Sequence, residues 1–95
     1  MTTNATARGQ QTELAFGGGH EAAIKQAFVN ATMTDIDLFS SYGMADKAIE
    51  LCVQLLERVP HHIGGNEKLL DLYLGSGNDA GVAEVANRLE PLLRA

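Results

Sequence analysis

The sequence resembles itself when it is shifted by about 34 residues. The shift places Gly43 on Gly77 and Phe39 on Tyr73, so that glycine meets glycine and an aromatic residue meets an aromatic residue. Small or branched apolar residues coincide at further pairs of positions, which are Ile36 and Leu70, Leu38 and Leu72, Ala48 and Val82, Cys52 and Ala86, and Leu55 and Leu89. A repeat of this length constrains the fold, because each copy is one structural unit that buries its apolar face against the next. The chain therefore contains two copies of one unit.

The first copy, residues 34–60, has the pattern of a helical hairpin. Apolar side chains recur at every third position from Ile36 to Tyr42, and Gly43 then supplies the backbone freedom that a tight turn needs. The stretch that follows is amphipathic, with apolar residues at three- and four-residue steps, namely Ala48, Ile49, Leu51, Cys52, Leu55, Leu56 and Val59. Pro60 ends this helix because proline has no backbone N–H.

The second copy, residues 66–95, follows the same plan. Residues 61–65 are predicted to connect the two hairpins, since their two glycines weaken any helix. The glycines within residues 75–78 predict a loose turn between the two helices of this copy. Pro91 is expected to stop or kink the last helix near residue 89.

Polar residues mark the predicted starts of the helices. A Ser, Thr, Asp or Asn side chain at the N-cap accepts a hydrogen bond from an unpaired N–H of the first turn. By this rule the first hairpin begins at Thr32 or Thr34. The later helices are expected to be capped by Asp46, by Asn66, and by Asn78 or Asp79.

The N-terminal third of the chain lies outside the repeat. Residues 1–19 are rich in Thr, Asn, Gln and Gly, and they are interpreted as a flexible arm or linker. Residues 20–31 have a helical pattern that is out of register with the repeat. This extra helix is predicted to cap the first hairpin, and the alternative is that its apolar residues Ile24 and Phe28 mediate dimerisation.

The repeated unit resembles the tetratricopeptide (TPR) repeat. The resemblance rests on an aromatic residue in the first helix, a glycine at the turn, Ala-Ile-Glu early in the second helix and a proline after it, which are here Phe39, Gly43, Ala48, Ile49, Glu50 and Pro60. The string from Asp35 to Gly43, followed by Ala48-Ile-Glu-Leu, is similar to the cytoplasmic C-terminal unit of bacterial FimV-type proteins. The resemblance implies an all-α fold of antiparallel helical hairpins, with two TPR-like repeats and an N-terminal capping helix.

The resemblance also implies a binding surface. In TPR-like proteins the first helix of each repeat lines the concave face. The positions that match this lining are Met33, Asp37, Ser40 and Ser41 in the first repeat and Glu67, Asp71 and Leu74 in the second. These seven residues are called the predicted binding face below. Because the face is acidic with apolar spots, the expected partner is a basic or amphipathic protein segment.

Charge and hydropathy limit the possible partners. The formal net charge is −5, and binding to nucleic acid needs clustered Lys and Arg, so nucleic acid is not expected as a partner. No run of about 18 apolar residues is present, so no membrane insertion is predicted. Cys52 is the only cysteine, which agrees with a reducing compartment, and the cytoplasm is the expected location.

The chemically reactive residues do not form a recognisable site. His61 and His62 are adjacent on a predicted loop, and a zinc site needs about four converging ligands. Cys52 lies on an apolar helix face, where cysteine behaves as a small hydrophobic residue. No catalytic residue, metal or cofactor is therefore predicted, and an enzyme or metal protein is a remote alternative.

The sequence thus predicts a non-catalytic module for protein interaction or assembly. The main alternative is a homodimer formed through the apolar ends of the helical array. In that alternative Leu92 and Leu93, beyond the break at Pro91, join Ile24 and Phe28 in a symmetric contact.

Overall fold

The computed structural model describes the backbone of residues 16–94 and the side chains of residues 20–94. This part of the chain consists of the helices α1 (Phe16–Ser41), α2 (Ala45–Arg58), α3 (Ile63–Ser76) and α4 (Asp79–Arg94), with no β-strand among them. The all-α class predicted from the sequence is confirmed. None of the helices in this part of the chain is both long and apolar enough to cross a membrane.

The chain divides into two packing units, Met1–Asn30 and Ala31–Ala95. In the first unit, residues 1–15 of the predicted linker lie outside the described residues, and residues 16–30 belong to α1. The second unit holds the end of α1 and the other helices, with α2 packed against α3 and α3 packed against α4. The two hairpins therefore lie in the second unit.

The helix does not break between the predicted extra helix and the first hairpin, although the division into two packing units falls there, between Asn30 and Ala31. α1 runs without interruption from Phe16 to Ser41, and Thr32 is a buried residue inside it rather than a cap. No glycine or proline occurs between His20 and Tyr42, so nothing in the backbone stops a helix once it has begun. The predicted capping helix is consequently the first half of the same helix.

Both hairpin turns have the same geometry. Gly43 and Gly77 adopt φ angles of 74° and 72°, in the left-handed region that glycine enters without strain. The N–H of the following residue donates to a carbonyl five residues back, from Met44 to Phe39 at 2.9 Å and from Asn78 to Tyr73 at 3.0 Å. This is the Schellman arrangement that closes a helix end. The second turn is therefore as tight as the first, and the prediction of a loose turn over residues 75–78 is wrong.

The caps are only partly as predicted. Asn78 caps α4, since its Oδ1 accepts a hydrogen bond from the Gly81 N–H at 2.9 Å. α3 begins four residues earlier than expected because His62, and not Asn66, caps it, with Nδ1 accepting from the Gly65 N–H at 2.8 Å. α2 has Met44 at its N-cap position and no side-chain cap, so the prediction for Asp46 is wrong.

Pro91 does not stop α4, which continues to Arg94. A proline inside a helix leaves the carbonyl four residues earlier without its helical donor. Here that carbonyl belongs to Asn87, and both Asn87 and Pro91 are exposed, so water can take the place of the missing N–H. The break predicted before Leu92 is therefore absent.

The buried residues of the second unit reveal the register of the repeat. Ala48 and Cys52 are fully buried in α2, and their counterparts in α4 are the buried Gly81 and Val85. The two members of each pair are separated in the sequence by one residue fewer than Gly43 and Gly77 are. Ala86, which the sequence comparison placed on Cys52, is exposed. The remaining buried apolar residues of this unit are Ile36, Leu55, Leu56, Leu69 and Leu89.

Gly65 allows α2 and α3 to pack closely. A Cβ atom at this position would lie 2.9 Å from Cδ2 of Leu55 and 3.3 Å from Cδ2 of Leu56. Contacts this short force a neighbouring group to move, so a side chain would push the helices apart. The glycine that weakens the helix locally is thus the residue that the helix packing requires.

Candidate functional site

The structure places the predicted binding face on the C-terminal part of α1 and along α3. The carboxylate of Asp37 lies 3.4 Å from the Lys68 ammonium, and Cε of Met33 lies 3.9 Å from the Cβ position of Gly64. From the contact of Met33 with Gly64 to the contact of Asp37 with Lys68, the residue number rises by four in both helices. α1 and α3 therefore run side by side in the same direction. Ser41, Glu67, Asp71 and Leu74 are exposed and Ser40 is partly buried.

The four residues predicted for a dimer contact differ in exposure. Ile24 is exposed and Phe28 is partly buried, and both belong to the first unit. In the second unit, Leu92 is partly buried, and 58% of the Leu93 surface is exposed. Exposure agrees with a contact surface at Ile24 and Leu93, and the predicted contact itself stays a prediction.

A groove that the sequence did not reveal lies between α2 and α4, with α3 as its floor. Its volume is about 270 Å³. Each helix contributes side chains from a single turn. The apolar lining consists of Val53, Leu56, Leu69 and Tyr73, and the charged lining consists of Glu57, Glu84 and Arg88. We call this feature the α2/α4 groove.

A fully buried asparagine holds the charged wall of this groove in place. Asn66 Oδ1 accepts a hydrogen bond from Nε of Arg88 at 2.8 Å. The Asn66 amide also donates to the carbonyls of Pro60 and His62, at 3.1 and 2.8 Å. Because the amide uses both its donor and its acceptor atoms, its burial carries no unpaired polar group. Asn66 therefore ties the loop before α3 to α4.

The two glutamates of the groove are without a charged partner. Glu57 and Glu84 are exposed and form no hydrogen bond or ion pair with any described residue. Arg88 lies in the same groove, with its Nε atom already bonded to Asn66. The groove thus offers an apolar floor, two carboxylates on its walls and one oriented guanidinium.

Cys52 is buried in the core and is not part of the groove. Burial raises the pKa of its thiol from the ordinary value of 9.0 to about 11. The Lys68 ammonium lowers this pKa and the Asp37 carboxylate raises it, both by less than burial does. The thiol therefore remains protonated at neutral pH, and a protonated thiol is a poor nucleophile.

The raised thiol pKa predicts a specific loss of stability in alkali. The folded state holds the proton up to about pH 11, whereas the unfolded chain releases it near pH 9. The stabilisation is thus complete below about pH 9 and is lost as the pH rises towards 11. We expect the wild type to lose more unfolding free energy than Cys52→Ala between pH 7 and pH 10, measured by urea denaturation. An equal loss in both proteins would contradict the assignment.

The histidines and acidic residues do not converge on a metal site. Among the described residues, no group of three His, Cys, Asp or Glu side chains lies close enough to hold an ion. His62 uses Nδ1 as the cap of α3, and His61 is exposed. His62 therefore acts as the N-cap of α3.

The fold and the groove define the class of this protein as an all-α domain of packed helical hairpins. Comparison with protein-family models, with curated proteins and with solved structures gives no match.

Sequence reasoning missed Asn66 and Arg88 as partners. The sequence pattern predicts Asn66 as a cap, although it occupies the same helical stripe as Leu69 and Tyr73. Arg88 occupies a position next to Leu89 on the buried stripe of α4. A polar residue within each of two apolar stripes was a usable signal, because such residues are buried only when they are paired.

Proposed function

We propose that this chain is a non-catalytic protein-interaction module and that the α2/α4 groove binds a basic amphipathic segment of a partner protein. One observation carries the proposal. The groove combines an apolar floor with two carboxylates that have no partner in the described chain.

The floor of the groove suits an apolar side chain. Leu69 is almost fully buried, but Val53 and Tyr73 keep part of their surface open to the groove. Covering apolar surface stabilises a complex by about 25 cal/mol for each Å² removed from water. A leucine or similar side chain inserted here would supply such contact, as partner helices do when they dock in grooves.

The walls of the groove suit a positive charge. Glu57 and Glu84 leave the groove with an excess of negative charge over Arg88, and the whole chain has a net charge of −5. A lysine or arginine beside the apolar side chain would pair with these carboxylates. Complementary charge also raises the rate at which the two proteins meet.

The predicted binding face on α1 and α3 remains a second candidate. It holds Glu67 and Asp71, which form no ion pair with any described residue, as well as Leu74, of which 59% is exposed. Its other acidic residue, Asp37, already pairs with Lys68. The TPR resemblance favours this face, whereas the recessed shape favours the groove.

A matched pair of variants tests the proposal. The probe is a labelled peptide made only of leucine and lysine with helical spacing, and its control has glutamate in place of every lysine. We expect wild-type protein to bind the lysine peptide alone. Glu57→Gln combined with Glu84→Gln should weaken this binding about tenfold, which corresponds to about 1.4 kcal/mol. Fluorescence anisotropy at physiological salt measures both affinities.

The control variant carries the same change of charge on the other face. Glu67→Gln combined with Asp71→Asn also removes two carboxylates, and it should change the affinity by less than about twofold. The opposite pattern would move the site to the α1 and α3 face. Equal binding of both peptides, or of neither, would overturn the proposal.

The place of action is proposed from the sequence. Cys52 is the only cysteine and is buried as a free thiol, which suits a reducing compartment such as the cytoplasm. The likeness to FimV-type units suggests a role in assembling bacterial surface or polar machinery.

A further inference from the structure

One side of the first hairpin contacts the second hairpin. The corresponding side of the second hairpin has no further hairpin to contact among the described residues, and it is apolar. In the first hairpin, Asp37 and Val53 face the second one. When the two hairpins are aligned by their buried residues, with Ala48 on Gly81 and Cys52 on Val85, the counterparts of Asp37 and Val53 are Leu70 and Ala86. The apolar residues around these two positions are Ile63 and Leu74 on α3 and Leu93 on α4, exposed by 40%, 59% and 58%. We call these five residues the end face.

The opposite side of the second unit has the matching surface. The second hairpin contacts the first through Gly64 and Lys68 of α3. The counterparts of these residues on α1 are Ala31 and Asp35. The same side of α1 continues, by three- and four-residue steps, to two apolar residues with large exposed surfaces, Leu38 at 47% and Tyr42 at 74%. We call these four residues the start face.

We propose that a second copy of this chain packs head to tail on the first, with the end face of one copy against the start face of the next. The chain already contains one contact of this kind, between its two hairpins. The outer faces carry the counterparts of Asp37 and Val53 on one side and of Gly64 and Lys68 on the other. Leu70 and Asp35 stand in place of the Asp37–Lys68 ion pair, and the counterpart of Met33 is the buried Asn66. The contact between copies therefore depends on the large apolar side chains that both faces expose. Stacks of such units need about three repeats to be stable, and a second copy extends the stack beyond two.

A head-to-tail contact has a consequence that a symmetric one does not. The assembly keeps one free face at each of its ends, so further copies can add. The average molar mass should then rise with concentration without stopping at a dimer. This inference does not depend on the peptide-binding groove, whose charged walls are not part of either face.

Complementation between two blocked variants tests the proposal. Leu74→Glu with Leu93→Glu blocks the end face, and Leu38→Glu with Tyr42→Glu blocks the start face. Each variant alone should remain a monomer in sedimentation velocity from the micromolar range to about 1 mM. An equimolar mixture should form a one-to-one pair, because each variant keeps the face that the other has lost. Circular dichroism checks that each variant remains helical.

A control variant adds the same charges elsewhere. Gln54 and Asn87 are exposed at equivalent positions of α2 and α4, and changing both to Glu should leave the association of the wild type unchanged. The proposal is overturned if the wild type stays monomeric throughout or if the mixture of blocked variants does not associate. It is also overturned if the variant with a blocked start face self-associates like the wild type, which would indicate a symmetric contact.

Discussion

Replacing Asn66 with alanine is expected to lower the free energy of unfolding by about 2 to 3 kcal/mol. The substitution removes three hydrogen bonds from a side chain with no exposed surface. It leaves the Pro60 carbonyl and Nε of Arg88 without these partners in a partly buried region. Alanine's higher helix propensity offsets only about half a kcal/mol of the loss. Urea denaturation followed by circular dichroism measures the effect.

An asparagine elsewhere in the same helical unit provides the control. Asn87 is exposed on α4, and Asn87→Ala should raise the unfolding free energy by a few tenths of a kcal/mol through helix propensity alone. The double variant Asn66→Ala, Arg88→Met should be less destabilised than the sum of its single changes, because the two residues share one bond. If the two asparagine variants have equal effects, the buried network does not exist as described.

Gly81→Val is expected to destabilise the protein by about 2 to 3 kcal/mol. A Cβ atom at Gly81 would lie 2.7 Å from Cδ2 of Tyr73 and 2.9 Å from the Asn78 amide nitrogen. The side chain would therefore push α4 away from α3 and disturb the cap of α4. Thermal and urea denaturation of the variant would both show the loss.

The same substitution at Gly75 is the control for this prediction. Gly75 also lies within a helix, but a Cβ atom there would meet no atom within 4 Å. Gly75→Val should therefore be neutral or stabilising by a few tenths of a kcal/mol, since valine favours a helix more than glycine does. Similar destabilisation by both variants would show that the contact with Tyr73 is not the cause of the effect.

Both predictions concern residues that shape the α2/α4 groove. Tyr73 is part of its floor, and Arg88 is part of its charged wall. Gly81 lets α4 approach Tyr73, and Asn66 holds Arg88. A groove whose lining is positioned by such buried contacts changes little on binding, which lowers the entropic cost of recognition.

The helical class and the positions of the turns could be predicted because their causes are local. The apolar spacing in α2 places Ala48, Cys52 and Leu55 on one side of a helix, and these residues are buried. Gly43 and Gly77 enter the left-handed region, which other residues avoid, and this ends the helices before them. Interactions of this kind involve residues that are close in the sequence.

The errors share a different origin. A Thr or Asp favours an N-cap but does not oblige a helix to begin, so Thr32 and Asp46 gave wrong boundaries. Pro91 is tolerated because the carbonyl that it leaves unpaired, that of Asn87, is in an exposed part of α4. Where a helix begins, and whether it continues past a proline, depend on which side of the helix faces the core.

For this chain, residues near one another in the sequence are enough to determine the helical class, the positions of the two glycine turns and the pairing of helices into hairpins. The one-residue shift in the buried register of α4, the bond between Asn66 and Arg88, and the α2/α4 groove arise only when the helices pack. The physical reason is that burial and hydrogen bonding between helices depend on positions far apart in the chain, such as Asn66 and Arg88, which no local pattern relates.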